Sequence, residues 1–250
     1  MRIALALPAY NEERALPQVL ERFQRVVGGA GYQIRAVVVD DGSTDGTARA
    51  IEEWSRRLPL ETLKHAVNRG LGETIRDALE LAARKADAED VVVTMDADNT
   101  HPVELILEMV PRLAEGYDVV IASRYRTGAG VVGLSGFRHV MSFGARLLYQ
   151  AVFPIRGVRD YTCGFRAYRA GILSKAFERY GDQLVTERGF ASMAEILLKL
   201  ARIGARMSET PMVLRYDLKG GASKMNVPRT VWKTLAMMAR LRVGRKPRPC

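Results

Sequence analysis

The sequence predicts an α/β fold, a mostly parallel central sheet flanked by helices on both faces, and three observations predict it. Short apolar runs rich in β-branched residues recur at Ile3–Leu7, Ile34–Val39, Val91–Met95 and Val119–Ala122, each too short for a helix. Between them, apolar residues recur at helical spacing, as Leu16, Val19, Leu20, Phe23, Val26 and Val27 do. The strand-like runs end in polar turns, and strands alternating with helices of about ten to fifteen residues give a parallel sheet covered on both sides.

The elements follow in order. Ile3–Leu7 is stopped by Pro8, and a helix opens at Asn11-Glu12-Glu13, where acidic residues suit the helix dipole. Gly28-Gly29 end that helix. Ile34–Val39 leads into the turn Asp40–Thr47 and a helix reaching about Arg57. Asp45 is expected to cap that helix. A strand over Leu60–His65 passes through Asn68-Arg69-Gly70-Leu71-Gly72 into a helix that ends near Lys85. The strand at Val91, a helix over Pro102–Ala114 and the strand at Val119 complete the regular half. Beyond Ser123 the rhythm changes. A glycine-rich loop, 128–136, precedes an amphipathic helix over Phe137–Phe153. Arg159–Arg166 reads as a turn and strand with exposed polar groups, followed by a helix over Glu187–Ile203 and a strand over Met212–Tyr216. No internal repeat or linker divides the chain, so the expected organisation is one domain, 1–225, and a basic amphipathic tail, 226–250.

Hydrophobic content of 48% with 26% charged residues excludes a disordered chain. No uncharged apolar run approaches the roughly 20 residues needed to cross a bilayer, and Met1-Arg2 leading directly into a strand predicts no signal peptide. Cys163 and Cys250 have neither metal nor redox spacing, which fits a reducing cytosol. The net charge of +10 calls for an anionic partner, without choosing among nucleotide, nucleic acid and lipid headgroup. Aromatic residues are few and not interleaved with Lys and Arg, which argues against nucleic acid.

The stretch Val91-Val92-Val93-Thr94-Met95-Asp96-Ala97-Asp98 is the candidate centre. A strand buried on both faces ends there in two carboxylates, which cannot sit unpaired in a dry core and so must lie where the strand emerges. In an open parallel sheet that place is the ligand crevice at the carboxyl ends of the strands. Two hard oxygen donors suit Mg²⁺ or Mn²⁺, which keep waters and bridge to phosphate. An isolated D-x-D is more often a turn, so context decides. No G-x-G-x-x-G follows the first strand and no P-loop is present, so a nucleotide site here is built on carboxylates.

Seven motifs supply the context: Pro8-Ala9-Tyr10-Asn11-Glu12, Val39-Asp40-Asp41-Gly42-Ser43, Asn68-Arg69-Gly70, Asp96-Ala97-Asp98, Ser123-Arg124-Tyr125, Cys163-Gly164-Phe165-Arg166 and Gly221-Ala222-Ser223-Lys224-Met225. Together they resemble glycosyltransferase family 2, in particular its dolichyl- and polyprenyl-phosphate mannose synthases, from Pro8 to about Met225. The resemblance implies a single nucleotide-diphosphosugar transferase domain of the GT-A, Rossmann-like type. It implies a metal-dependent enzyme that inverts the anomeric centre, moving a hexose, with mannose from GDP-mannose favoured, onto a polyprenyl or dolichyl phosphate. The alternative is a family member using UDP-glucose or UDP-GlcNAc and a hydroxyl acceptor.

By that resemblance Asp96 and Asp98 hold the metal and, with Arg124, form the catalytic set. Pro8, Ala9, Tyr10, Glu12, Val39, Asp41, Asp96, Ala97, Asp98 and Arg124 line the nucleotide-sugar site, with Asp41 accepting a hydrogen bond from the base. Arg138, Arg166, Ser223 and Lys224 contact the acceptor phosphate, a role guanidinium geometry suits. Thr100 departs from the pattern, standing where such synthases commonly carry glutamine as a further metal ligand. A phosphate acceptor, with a second pKa of about 6, needs no protein base. A hydroxyl acceptor would need one, and Glu187, Glu195 and Asp160 are the late acidic candidates. In the tail, positions 227, 231, 232, 235 and 238 form an apolar stripe surrounded by basic residues. That pattern predicts peripheral contact with the anionic cytoplasmic face of a membrane; the competing expectation is a helix that caps the sheet or makes a homodimer contact.

Overall fold

The computed structural model describes residues 1–133, 136–218 and 227–243, with side chains described except at 137–140, 218, 227–233 and 243. A seven-stranded sheet is its centre. The strands are β1 (Arg2–Ala9), β2 (Gln33–Asp40), β3 (Leu60–Lys64), β4 (Val91–Thr94), β5 (Val119–Ser123), β7 (Arg166–Arg169) and β8 (Met207–Pro211), in spatial order β3-β2-β1-β4-β7-β5-β8. All neighbours are parallel except at β7, which runs antiparallel to β4 and β5. A small second sheet pairs β6 (Gly130–Val132) with β9 (Val213–Arg215). The helices are α1 (Ala15–Phe23), α2 (Thr47–Ser55), α3 (Leu71–Arg84), α4 (Ile106–Ala114), α5 (Gly136–Val152), α6 (Ala170–Tyr180), α7 (Ala191–Arg202) and α8 (Val227–Val243).

The apolar runs form the strands because both faces of the sheet are covered. Ile3, Leu5, Leu7, Val37, Val38, Val39, Val92 and Val93 are all fully buried, beneath α1, α3 and α4, whose apolar stripes face them. Several elements differ from expectation: β6 lies inside the 128–136 stretch expected as a loop, and α6 lies where no element is expected. α1 starts at Ala15, with no acidic residue in its first turn. Asn11 adopts φ +57°, and the Asn11–Glu13 segment bonds to the 43–47 turn instead, Glu12 N donating to Thr47 Oγ1 and Gly46 N donating to Glu13 Oε2. α7 starts at Ala191 because Glu187–Phe190 form a loop against the start of α3. The strand expected over Met212–Tyr216 is β9 of the small sheet, while β8, with its polar sequence Met207–Pro211, takes the main-sheet edge.

Buried charges pin the loops under the site. Asp160, fully buried, accepts a two-pronged contact from Arg124 (Nε to Oδ2 2.8 Å, Nη2 to Oδ1 2.7 Å) and the backbone N–H groups of Arg124, Thr162 and Cys163. Burial pushes its carboxyl up, yet the Arg124 guanidinium and these donors outweigh that and hold it below its ordinary 3.8. Glu209 accepts the N–H groups of Arg159 and Asp160 at 2.6 Å each and Arg126 Nε at 2.7 Å. On α7, buried on all sides, Glu195 accepts Thr186 N, Thr186 Oγ1, Glu187 N and Lys199 Nζ.

Two consequences follow for stability. Asp160, with its folded pKa depressed, contributes stability fully present above about pH 4 and lost as pH falls through the lower folded value. Asp160→Asn is expected to lower stability near pH 7 by about 3–5 kcal/mol, because it leaves Arg124 buried without its counter-charge. It should also flatten the acid limb of a melting-temperature profile between pH 5 and 2; an unchanged acid limb would show that another group controls it. At Gly72 an added Cβ would lie 1.7 Å from Glu187 O. Gly72→Ala is therefore expected to cost about 1–3 kcal/mol in a urea titration, and an unmoved midpoint would mean the 187–188 loop yields freely.

Candidate active site

β1 is flanked by β2 on one side and β4 on the other, so successive crossovers leave it in opposite directions. That reversal opens a crevice at the carboxyl ends of β1 and β4, where open α/β sheets bind ligands. Asp96 and Asp98 lie just beyond the end of β4, opposite Pro8-Ala9-Tyr10 at the end of β1. The same edge of the sheet gathers Asp40–Ser43 after β2, Asn68–Gly70 after β3, Arg124-Tyr125 after β5 and Cys163–Phe165 before the antiparallel β7. Six of the seven sequence motifs thus meet on one rim. The seventh, with Ser223 and Lys224, lies outside the described residues, as does the side chain of Arg138.

The D-x-D turn is held from below. Asp96 N donates to His101 Nδ1 at 3.2 Å, and the buried His101 ring packs 5.3 Å from the ring of Phe165. Thr94 Oγ1 donates to Gly164 O at 2.8 Å, drawing the Cys163-Gly164 backbone alongside. A Cβ on Gly164 would stand 3.4 Å from Asp96 Oδ1, so little but glycine lies between them. Asn99 supplies the reversal at φ +61°. Thr100 turns its hydroxyl onto Asp98, donating from Oγ1 to Oδ1 at 2.6 Å. Its position is taken by an orienting hydroxyl, not by a further long ligand. Among the described residues no three His, Cys, Asp or Glu side chains gather as a metal cage. Two carboxylates at a crevice are nonetheless the donor set for a hard cation that takes its other ligands from water and phosphate.

The nucleoside side of the rim differs from expectation in two places. Val39 is fully buried in the core, so its side chain presents nothing to a ligand. Asp41 is 3% exposed, and its carboxylate is already engaged: Oδ1 accepts His65 Nδ1 at 2.7 Å and Arg69 N at 2.8 Å, and Oδ2 accepts Gly70 N at 2.9 Å. It holds a loop together instead of reaching out for a base. Its neighbour Asp40, in the expected turn, accepts Ser43 N through Oδ1, while its buried Oδ2 has no hydrogen-bond partner among the described residues. Asp45, expected to cap α2, lies one residue before the N-cap, Gly46, and accepts Thr47 N at 3.0 Å from there. Pro8, Ala9 and Ala97 are buried, and Tyr10 and Glu12 are half-buried at the rim.

The arginines also differ. Arg124 turns its Nε and Nη2 inward to Asp160 and Thr162, so its fork is spent on a loop and not on a phosphate. Arg166 is fully buried in β7 and donates to the carbonyls of Met193 (2.7 Å) and Tyr161 (2.9 Å). A group so enclosed is a packing strut, which corrects its assignment to the acceptor phosphate. The exposed polar face expected of the 159–166 segment is thus largely interior.

The late acidic candidates are likewise tied down. Glu187 pairs with Arg240 of α8 at 3.0 Å, and Glu195 and Asp160 carry the contacts already described. Of the expected tail stripe, Met238 is buried, as are Met237 and Leu241, whereas Leu235 is 42% exposed; Val227, Val231 and Trp232 lie outside the described side chains. Arg202 donates to Leu241 O, anchoring α8 beside α7. A cleft of about 410 Å³ beside Thr100, His101, Met212 and Arg215 lies next to the D-x-D turn but includes neither Asp96 nor Asp98.

With the geometry in place, comparison with known proteins bears on it directly. Residues 5–177 match the model of the family described as "Glycosyl transferase family 2". The chain is 32% identical over 200 residues to a dolichol-phosphate mannosyltransferase of Pyrococcus furiosus, a match covering 80% of this chain and 53% of that protein. It is 29% identical over 227 residues to a polyprenol monophosphomannose synthase of Mycolicibacterium smegmatis, covering 90% of this chain and 81% of that one. Among solved structures, glucosyl-3-phosphoglycerate synthase from Mycobacterium tuberculosis, in complex with Mn²⁺, uridine diphosphate and phosphoglyceric acid, superposes with a TM-score of 0.63 at 19% identity. That superposition covers 98% of this chain and 80% of the other, and shows a shared single α/β domain with a mostly parallel sheet. The chain spans about half the length of the Pyrococcus protein. On the extent of these matches, and with the motifs assembled on one rim, the chain belongs to glycosyl transferase family 2.

Proposed function

We propose that this protein transfers a hexose from a nucleotide sugar to a polyprenyl phosphate, with mannose from GDP-mannose as the favoured donor and with inversion at the anomeric carbon. The observation that carries the proposal is the pair Asp96 and Asp98 at the β1/β4 crevice, with Thr100 fixing Asp98. Both relatives described above are named for mannosyl transfer to a polyprenol-type phosphate. A bound Mg²⁺ or Mn²⁺ would neutralise charge on the departing nucleoside diphosphate. Asp96 and Asp98 would hold it, as the donor chemistry and the Mn²⁺ of the mycobacterial structure support.

The chain's own residues have assignable tasks. Tyr10 and Glu12, at the rim beside β1, would border the nucleoside, with the Pro8-Ala9 and Ala97 backbone as its floor. Asp41 and Arg124 are proposed as positioning residues, since each holds a rim loop. Arg138, Ser223 and Lys224 remain the proposed contacts for the acceptor phosphate. A phosphate monoester is largely ionised near neutral pH and attacks without a protein base. The engagement of Asp160, Glu187 and Glu195 in internal contacts supports that route over a hydroxyl acceptor, which requires a base within reach.

α8, with basic residues along it, is proposed to hold the protein at an anionic cytoplasmic membrane surface, each Lys or Arg contributing about 1 kcal/mol. No helix among the described residues is long and apolar enough to cross a membrane.

The test is transfer of label from GDP-mannose, with Mn²⁺, into an organic-extractable, acid-labile product made on polyprenyl phosphate. Asp98→Ala is expected to lower turnover at least about a hundredfold while leaving the melting temperature near wild type. Absence of such a product with GDP-mannose and with UDP-sugars would remove the lipid-phosphate reading, and full activity in Asp98→Ala would remove the metal site.

A further inference from the structure

We infer that His65 is a positioning residue for the nucleoside side of the crevice, acting through Asp41 on the loop that joins β3 to α3. His65 follows β3 and is 5% exposed. Its Nδ1 faces Asp41 Oδ1 at 2.7 Å and its Nε2 faces Asp77 Oδ2, on α3, at 3.0 Å. Both ring nitrogens thus face a carboxylate oxygen at hydrogen-bond distance, and the ring bridges the two side chains. Asp77 is steadied in turn, its Oδ1 accepting Arg76 Nε at 3.0 Å and Nη2 at 2.8 Å. The result is one chain of side-chain contacts, Asp41–His65–Asp77–Arg76, running from the turn after β2 across the end of β3 to α3.

What this chain orients is the loop 66–70. Its residues 66–69 are exposed, and packing does little to fix them. The two amides that tie it down, Arg69 N and Gly70 N, both point at the Asp41 carboxylate, Gly70 at φ +95°. Successive amides turned onto an anion form a concave nest, here filled by the Asp41 side chain from the turn after β2. Asp41 N in turn donates to Ala9 O at 2.8 Å, at the floor of the proposed nucleoside pocket. The 42 and 67 backbones touch as well: a Cβ on Gly42 would lie 2.7 Å from Val67 C. The ends of β1, β2 and β3 therefore move as one wall, and the His65–Asp41 contact sets its register. Without the ring, Asp41 and Asp77 would be two buried carboxylates short of a shared donor.

The inference rests on the donor-site reading only for the identity of the ligand. Two amide replacements separate its halves. In His65→Asn the side-chain amide falls near the place of Nδ1 and keeps the bond to Asp41. In His65→Gln it falls near the place of Nε2 and keeps the bond to Asp77. Positioning through Asp41 predicts that Gln weakens binding of GDP or UDP with Mn²⁺ by about tenfold or more, whereas Asn stays within about threefold. Turnover at saturating donor should change little in either. Hydrogen exchange gives a readout free of nucleotide: the Arg69 and Gly70 amides should exchange about tenfold faster in Gln than in Asn. In the wild type these two amides of an exposed loop should be protected at least about a hundredfold, a measurement that needs no variant. Equal effects of Asn and Gln, or wild-type amides that exchange as in an open loop, would overturn the inference. Wild type that binds no nucleotide while the exchange pattern holds would instead remove the donor-site reading and leave the positioning role standing.

Discussion

Ionised carboxylates cannot be buried without donors, and this molecule is organised by how it meets that constraint. The central strand β4 is buried on both faces for its whole length and then delivers Asp96 and Asp98 at the reversal of strand order beside β1. The pair stands where the sheet leaves a crevice, and His101, Thr100 and the Gly164 backbone fix its geometry from the protein side. A carboxylate pair held in this way is preorganised for a hard cation, and it is that cation which, in the proposed reaction, would neutralise charge on the departing diphosphate.

Around that centre the same constraint is used for architecture. Asp41, Asp160, Glu195 and Glu209 are each buried, and each collects backbone N–H groups from a loop at the rim. Three of them carry a cationic partner as well: Arg124 for Asp160, Lys199 for Glu195 and Arg126 for Glu209. A buried ion pair contributes little net stability compared with apolar packing, but it tolerates few alternative geometries. The loops at the rim are thereby held in one arrangement. Glu187 and Arg188 extend the scheme, because their backbone abuts Gly70 and Gly72 while Arg240 of α8 grips the Glu187 carboxylate. α8 and the loop after β3 thus share a common support.

Much of this was legible in the sequence, for physical reasons. Five strands of the main sheet announce themselves as apolar runs or as a run placed between helices, and the D-x-D stands at the tip of one of them. β8 was not legible, because Ser208, Glu209 and Thr210 at a sheet edge lack the apolar signal of an interior strand. β6, Gly-Val-Val, is too short for its two valines to read as a run. Side-chain roles were harder to read than side-chain positions. Arg124 and Arg166 look like phosphate ligands in one dimension, and only the fold shows that Asp160 and the Met193 and Tyr161 carbonyls take their donors. His65 gave no signal at all, since Asp41 and Asp77 reach it from 24 and 12 residues away. Thr100 stood out as a departure from the family pattern, but its bond to Asp98 could not be read from spacing.

The central claim is that a divalent cation and a nucleoside diphosphate meet at the tip of β4. A crystal soaked with Mn²⁺ and GDP or UDP, read by anomalous scattering, tests it most directly. The account predicts a manganese peak in coordination distance of Asp98, with Asp96 beside it and the diphosphate completing the shell. A well-ordered nucleotide elsewhere on the molecule, with no peak at that turn, would contradict it.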